Sequence, residues 1–440
     1  MFFSFIILLT AIGNAFSLQD QDNSELEKWF EPNAKFWTWS PEEFAGEARE
    51  LGFCWIEENI AARAAPPRGT VFDKQVYEAV LRFETGAPCT FTCLFYSRGD
   101  SIDTLTEEQF KEIVRDLIGA ISKYLKLQPS PSAKVLSSRS VLVRDDSKIW
   151  LLPDHRFELA FSYTPPRRED GQFVPFRAEY IRLTIRKSGI QDMPAHAITR
   201  VNVFDIRANI QHDEQSGDVW IGNVPMVDQG QKGYCAAAVA ERVMLYFGQQ
   251  VDQHQVAQIA GSSAQGGTDI ESLRTALRSV GRQYNYSLKT HVKFDFRDFK
   301  RQIDRYNRLA ANKKKPEIVL PQSGIIMINE IYGEMDADIL VESRMQSRAD
   351  YNRFYGQIKR YVNAGCPMAW GVVLGIIQEP GLGQTRGGHL RLIIGYNEQT
   401  DEVIYSDSWG MGHELKRMSV DKAFAITTSL LSLEPPGLAF

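Results

Sequence analysis

Three side chains spread along the second half of the chain could together perform nucleophilic chemistry: a cysteine, a histidine and an aspartate. Cys235 lies in PMVDQGQKGYCAAAVAERVMLYFG, which starts at Pro225. From Ala236 onward the residues are strong helix formers, Val239, Val243 and Phe247 recur at helical spacing, and Gly248 is a natural stop. Gly230 and Gly233 break regular structure upstream, so Cys235 is expected in the first turn of a helix. The unsatisfied backbone N–H groups of a first turn favour negative charge, and the thiolate is the nucleophilic form of cysteine. Taken alone, the same position also suits a small buried residue. A base elsewhere in the chain decides between the two.

Such a base is offered by GGHLRLIIGYNEQTDEVIYSDSWG. His389 opens the apolar strand HLRLIIGY after two glycines that allow backbone to approach closely, and EVIYSDSWG returns as a second strand with Asp407 at its end. Two neighbouring antiparallel strands can set a histidine at the start of one beside an acid at the end of the next. An imidazole that takes the thiol proton works best when a carboxylate or amide fixes its tautomer and orientation. The reaction also needs a donor for the developing oxyanion. Gln229, on the loop before the helix, can supply a side-chain N–H beside the backbone N–H of Cys235.

A Gln six residues before a helix-starting Cys, a distant His leading a short apolar strand to Gly-Tyr, and an acid before Ser-Trp-Gly together resemble the papain-like cysteine peptidases. The flanking residues look closest to the bacteriocin-leader (double-glycine) peptidase-like branch, where a Pro-containing lead-in, a Gln, a Cys-helix and a Gly-Thr segment such as Gly267-Thr268 recur. The resemblance covers about residues 224–418. It implies Cys235 as nucleophile, His389 as base, Asp407 as orienter, Gln229 as oxyanion donor and Trp409 as a shield over the His–Asp contact. It also implies a Cys-bearing helix packed on an antiparallel sheet that carries the His and the Asp, and hydrolysis of peptide bonds through a thioester acyl-enzyme. Such a triad uses no metal and no cofactor, and its partner is a peptide or protein substrate. GYCAAA stands where papain itself has Cys-Gly-Ser-Cys-Trp, and DSWG where it has Asn-Ser-Trp-Gly, so papain's substrate preference is not implied. The same triad also serves a non-peptide amidase or an acyltransferase, and a catalytically silent papain-like cleft would be a peptide-binding protein.

These residues need elements to hold them, and 440 residues exceed one ordinary core, suggesting two or three domains. A net charge of -5 argues against a nucleic-acid binder that relies on a basic field. The opening MFFSFIILLTAIGNAFS reads as a signal peptide over residues 1–17, with Ala15 and Ser17 where a signal peptidase prefers small residues. An uncleaved anchor is the alternative. The mature chain is therefore expected to be secreted or periplasmic, with no stable membrane partner after signal removal. Five cysteines remain, Cys54, Cys89, Cys93, Cys235 and Cys366, an odd count that points to a free thiol in an exported chain. If Cys54 bridges Cys89 or Cys93, the leftover thiols lie mainly in the second half.

Residues 18–205 read as an N-terminal α+β domain of unassigned role. SPEEFAGEARELG is a helix with Ser40 as N-cap, Pro41 at the first position, Glu43 completing a capping box and Gly52 as stop. In TEEQFKEIVRDLIGAISKYL, Thr106 and Gln109 form a second box, and Phe110, Ile113, Leu117, Ile121 and Tyr124 make one apolar stripe. Strand patterns dominate the rest, with Asp145 and Asp146 expected at a hairpin tip. His155 and His196 read as structural or surface residues. The polar, turn-rich RANIQHDEQSGD marks the expected domain boundary, and residues 206–440 form the papain-like domain. There His254 and His413 are weaker candidates than His389.

Overall fold

The structure is a computed structural model that describes residues 5–6, 26–31, 34–67, 69–98, 104–131, 144–169, 172–188, 203–229, 234–249, 256, 270–321, 326–379 and 386–438. The chain divides into two compact units, Gly13–Pro194 and Ala195–Phe440, the second taken together with Met1–Ile12. Both combine helices with antiparallel sheets, the α+β class. Of the expected signal segment only Phe5 and Ile6 are described, paired in parallel with Ile326 and Met327. The rest of residues 1–17 lies outside the described residues, as does His196. No described helix is long and apolar enough to cross a membrane.

Within Gly13–Pro194, one antiparallel sheet runs in the order Cys54–Glu57, Ala61–Ala64, Glu78–Glu84, Ala87–Ser97, Arg177–Lys187, His155–Thr164, Arg144–Leu151 and Ser130–Pro131. The helix Glu107–Leu125 buries Phe110, Val114, Leu117 and Ile121, while Ile113 and Tyr124 pack at the edge of the same core. Both expected capping boxes form. Ser40 and Glu43 exchange bonds of 3.2 and 2.7 Å, and Thr106 and Gln109 bonds of 3.2 and 2.9 Å. His155 is buried with its ring 4.6 Å from that of Trp37.

One expectation in this unit fails for reasons of register. Asp145 and Asp146 lie inside the strand Arg144–Leu151, opposite Ser162 and Phe161, rather than at a hairpin tip. Asp146 is exposed and its neighbour Ser147 buried, which is the alternation a strand permits. The cysteines are all free thiols. The strand carrying Cys54 is separated from the one carrying Cys89 and Cys93 by two others. Three strand spacings of about 4.8 Å put them well beyond the ~7 Å limit between the Cα atoms of a disulfide.

In the second unit the polar segment RANIQHDEQSGD is itself folded. Ile210–Asp213 and Asp218–Ile221 form a hairpin whose second strand joins the main sheet beside Gly387–Asn397. The polarity belongs to the turn, where the Asp213 carboxylate accepts from the Gln215 N–H and the Ser216 hydroxyl. The sheet continues through Met368–Leu374 and Thr427–Glu434 to Ser287–Val292, and Glu402–Ser406 pairs with Gly387–Asn397 and with Lys416–Ser419. Gly387–Asn397 is buried along its whole length, with the helices Cys235–Tyr246 and Arg348–Val362 both packed against it. The helices Ile270–Gln283, Phe296–Asn312, Ala337–Met345 and Arg348–Val362 complete the described elements around this sheet.

Candidate active site

Cys235 is the first residue of the helix Cys235–Tyr246, and Tyr234 precedes it without a side-chain cap. Gly248, with φ of +73°, closes the far end in the left-handed region that suits glycine. The alanines at 236, 237, 238 and 240 are all buried, and their small side chains let the helix axis come close to the sheet. Seven residues on from Cys235, and so on nearly the same helical stripe, stands Arg242.

The ladder pairs Leu392 with Ser406 and Ile393 with Tyr405. The next step therefore sets Asp407 opposite Arg391, with His389 two residues along on the same face. His389 Nε2 and Asp407 Oδ1 are 2.6 Å apart, and the Cys235 side chain is near enough to the imidazole to favour its charged form. With Nε2 committed to Asp407, Nδ1 is the ring atom left for the sulfur. Trp409 lies flat against the imidazole, ring centroids 4.5 Å apart and planes inclined by 12°. The arrangement brings together Cys235, His389, Asp407 and Trp409 in the order expected from sequence.

Burial works against charge on His389, but the Asp407 carboxylate and the contact with Cys235 outweigh it and raise the imidazole to about 9. Burial likewise opposes ionisation of Asp407, and His389, Arg391 and the Ser408 N–H overcome it, holding the carboxyl well below the ordinary carboxylate range. The signs fix how the pair affects stability. The raised His389 contributes fully below its unfolded value of about 6.5, and that contribution is lost as pH rises through about 9. The depressed Asp407 contributes above its unfolded value of about 3.9 and is lost as pH falls through its folded value. Melting temperature is therefore expected to peak between roughly pH 4 and 6.5, and the decline above pH 7 should disappear in His389→Gln if this pair causes it.

Gln229 is buried, and its backbone N–H donates to the Ser408 carbonyl at 2.9 Å, which ties the loop before the Cys235 helix to the residue after Asp407. Residues 230–233, His254 and Gly267-Thr268 lie outside the described residues. His413 contributes its backbone carbonyl to the Asp407 N–H at 2.8 Å, and its ring meets the edge of Trp409.

Three residues at the site were not singled out in the sequence. Arg242 is almost wholly buried and donates to the carbonyls of Pro225 and Asp407 at 2.8 and 2.9 Å, to Ser406 Oγ at 2.5 Å and to Ser408 Oγ at 3.4 Å. It joins the Cys235 helix to the Pro225 lead-in and to the segment that carries Asp407. Arg242→Met would orphan these acceptors, and a loss on the order of 3 kcal/mol is expected in urea unfolding. Arg391, also fully buried, donates to Asp407 Oδ2 at 2.7 Å and to both oxygens of Glu379. A charged residue at the second position after His389, on the same strand face, was the available signal. Among the described residues no cluster of potential metal ligands is found.

Residues 328–429 match the Peptidase_C39 like family, a segment that contains His389 and Asp407 and not Cys235. Comparison with curated proteins gives no match. Among solved structures the chain is similar to xylellain, a cysteine protease from Xylella fastidiosa, at 13% identity over 52% of this chain and 88% of that one, with a TM-score of 0.25. The segment match supports a resemblance to papain-like cysteine peptidases.

Proposed function

We propose that the chain is an exported cysteine peptidase that cleaves peptide bonds through Cys235, His389 and Asp407. The observation that carries this reading is the single imidazole bonded to Asp407 and acted on electrostatically by a cysteine at a helix N-terminus. In the mechanism His389 takes the thiol proton and the sulfur attacks the substrate carbonyl. The oxyanion is held by the Cys235 N–H and the Gln229 side chain, and His389 then protonates the leaving amine. Water, deprotonated by the same imidazole, releases the acyl-enzyme. Asp407 keeps the ring in one tautomer, and Trp409, stacked on it, keeps water from the His–Asp contact. The apolar run in residues 1–17 supports export to the periplasm or outside the cell.

Cleavage of a peptide library by the mature chain, with Cys235→Ala as the blank, tests the reading and names the preferred sequence. Transfer to added amines that outpaces hydrolysis would favour an acyltransferase instead. The oxyanion role is tested separately. Gln229→Glu is nearly isosteric but points a carboxylate at developing negative charge, so kcat is expected to fall roughly a hundredfold. Melting temperature and the alkylation rate of Cys235 should change far less. Parent-like turnover in this variant would remove Gln229 from the mechanism.

A further inference from the structure

We propose that Arg391 and Glu379 are positioning residues that lock the Asp407 carboxylate and set how firmly it holds the His389 ring, an inference resting on the peptidase site described above. Four ionisable side chains follow one another through direct contacts in alternating polarity, Glu379, Arg391, Asp407 and His389, and Cys235 acts electrostatically on the last. Arg391 Nη1 lies 3.1 and 2.9 Å from the two Glu379 oxygens, and its Nε lies 2.7 Å from Asp407 Oδ2. The guanidinium is 4.7 Å from the Tyr405 ring centre and 5.9 Å from that of Trp409, and the Tyr405 hydroxyl donates to Glu379.

Asp407 is thus divided, one oxygen to His389 and the other to Arg391. A carboxylate fixed at Oδ2 cannot turn Oδ1 away from the imidazole, which is what an orienter must provide. The division also has an electrostatic consequence. A buried guanidinium requires a counter-ion, and Glu379 supplies one that belongs to Arg391 and not to the histidine. With Glu379 neutral, Arg391 draws on Asp407 alone and weakens its hold on the ring. With Arg391 neutral, the whole Asp407 charge serves His389. Of the other groups near Asp407, the Ser408 N–H donates to Oδ1 at 2.9 Å, while Arg242 acts on the backbone carbonyl and His413, with Glu414 and Lys416 near its ring, on the backbone N–H.

The test reads the imidazole directly, by NMR titration of the full chain labelled with ¹³C-histidine, the His389 signal being identified by its loss in His389→Gln. Arg391→Gln is expected to raise the His389 midpoint and Glu379→Gln to lower it, each by about one pH unit. Arg391→Lys, which keeps the charge, should stay close to the parent. Because Arg391→Gln strands the Glu379 carboxylate, the double variant Arg391→Gln/Glu379→Gln removes both charges together, and its midpoint should lie above the parent's. A merely structural pair would lower the melting temperature in both single variants and leave the midpoint unmoved. Shifts of the same sign, or none in folded protein, overturn the proposal. Opposite shifts without peptide turnover would uphold it and defeat the peptidase reading, and turnover with a fixed midpoint would do the reverse.

Discussion

Cys235→Ala is expected to abolish peptide hydrolysis, lowering kcat by at least about 10⁴-fold, with the fold retained. The helix loses nothing it needs from the sulfur, because alanine is the better helix former and neighbouring Ala236, Ala237 and Ala238 already pack without bulk. What disappears is the one nucleophile on the imidazole. Cys235→Ser should be nearly as inactive, since a hydroxyl is far harder to ionise than a thiol at a site built around a sulfur. Parallel thermal unfolding and turnover measurements check this, and a variant that keeps more than about a tenth of parental turnover would place the nucleophile elsewhere.

Asp407→Ala is the second large effect. It removes the anion between two buried cations, leaving His389 and Arg391 without the carboxylate that each of them contacts. Turnover should fall by about 10³- to 10⁴-fold, and breaking a buried ionic contact of this kind costs roughly 3–5 kcal/mol. Asp407→Asn separates orientation from charge. Its amide oxygen can still accept from His389 Nε2, but its NH₂ then faces the Arg391 Nε–H, donor against donor. Asn is therefore expected to fall between parent and Ala, with the alkaline limb of the activity profile moved below that of the parent, because the charge that raises His389 is gone. If Ala and Asn prove equal in stable protein, Asp407 is not the orienter.

The three residues of the proposed triad were legible because each announces itself locally. Cys235 follows a glycine-broken loop and opens a run of alanines. His389 and Asp407 stand at the start and end of neighbouring strands, so a two-residue period and one tight connection bring them together. Arg242 and Glu379 give no such local sign, and Arg391 only its place two residues after His389 on one strand face. Each is a charge within or beside an apolar run, and its partners are chosen by tertiary contacts between segments up to 166 residues apart. The same limit explains the hairpin at Ile210–Ile221, where turn-forming residues look identical in a linker and in a sheet edge. Cysteine arithmetic could point to a free thiol but could not decide on a pairing, for a related reason. The count says nothing of how many strands stand between two thiols.

The central claim is that Cys235 is made reactive by His389, and competitive alkylation of the five free thiols tests it most directly. Exposure alone ranks them oppositely to the chemistry: Cys54 is exposed, while Cys235 is only 3% exposed. With limiting iodoacetamide at pH 6.5 and site-by-site mass spectrometry, Cys235 should be labelled at least about tenfold faster than Cys54. That advantage should vanish in His389→Gln. Labelling led by Cys54, with Cys235 no faster in the parent than in His389→Gln, would contradict a thiol activated by this imidazole.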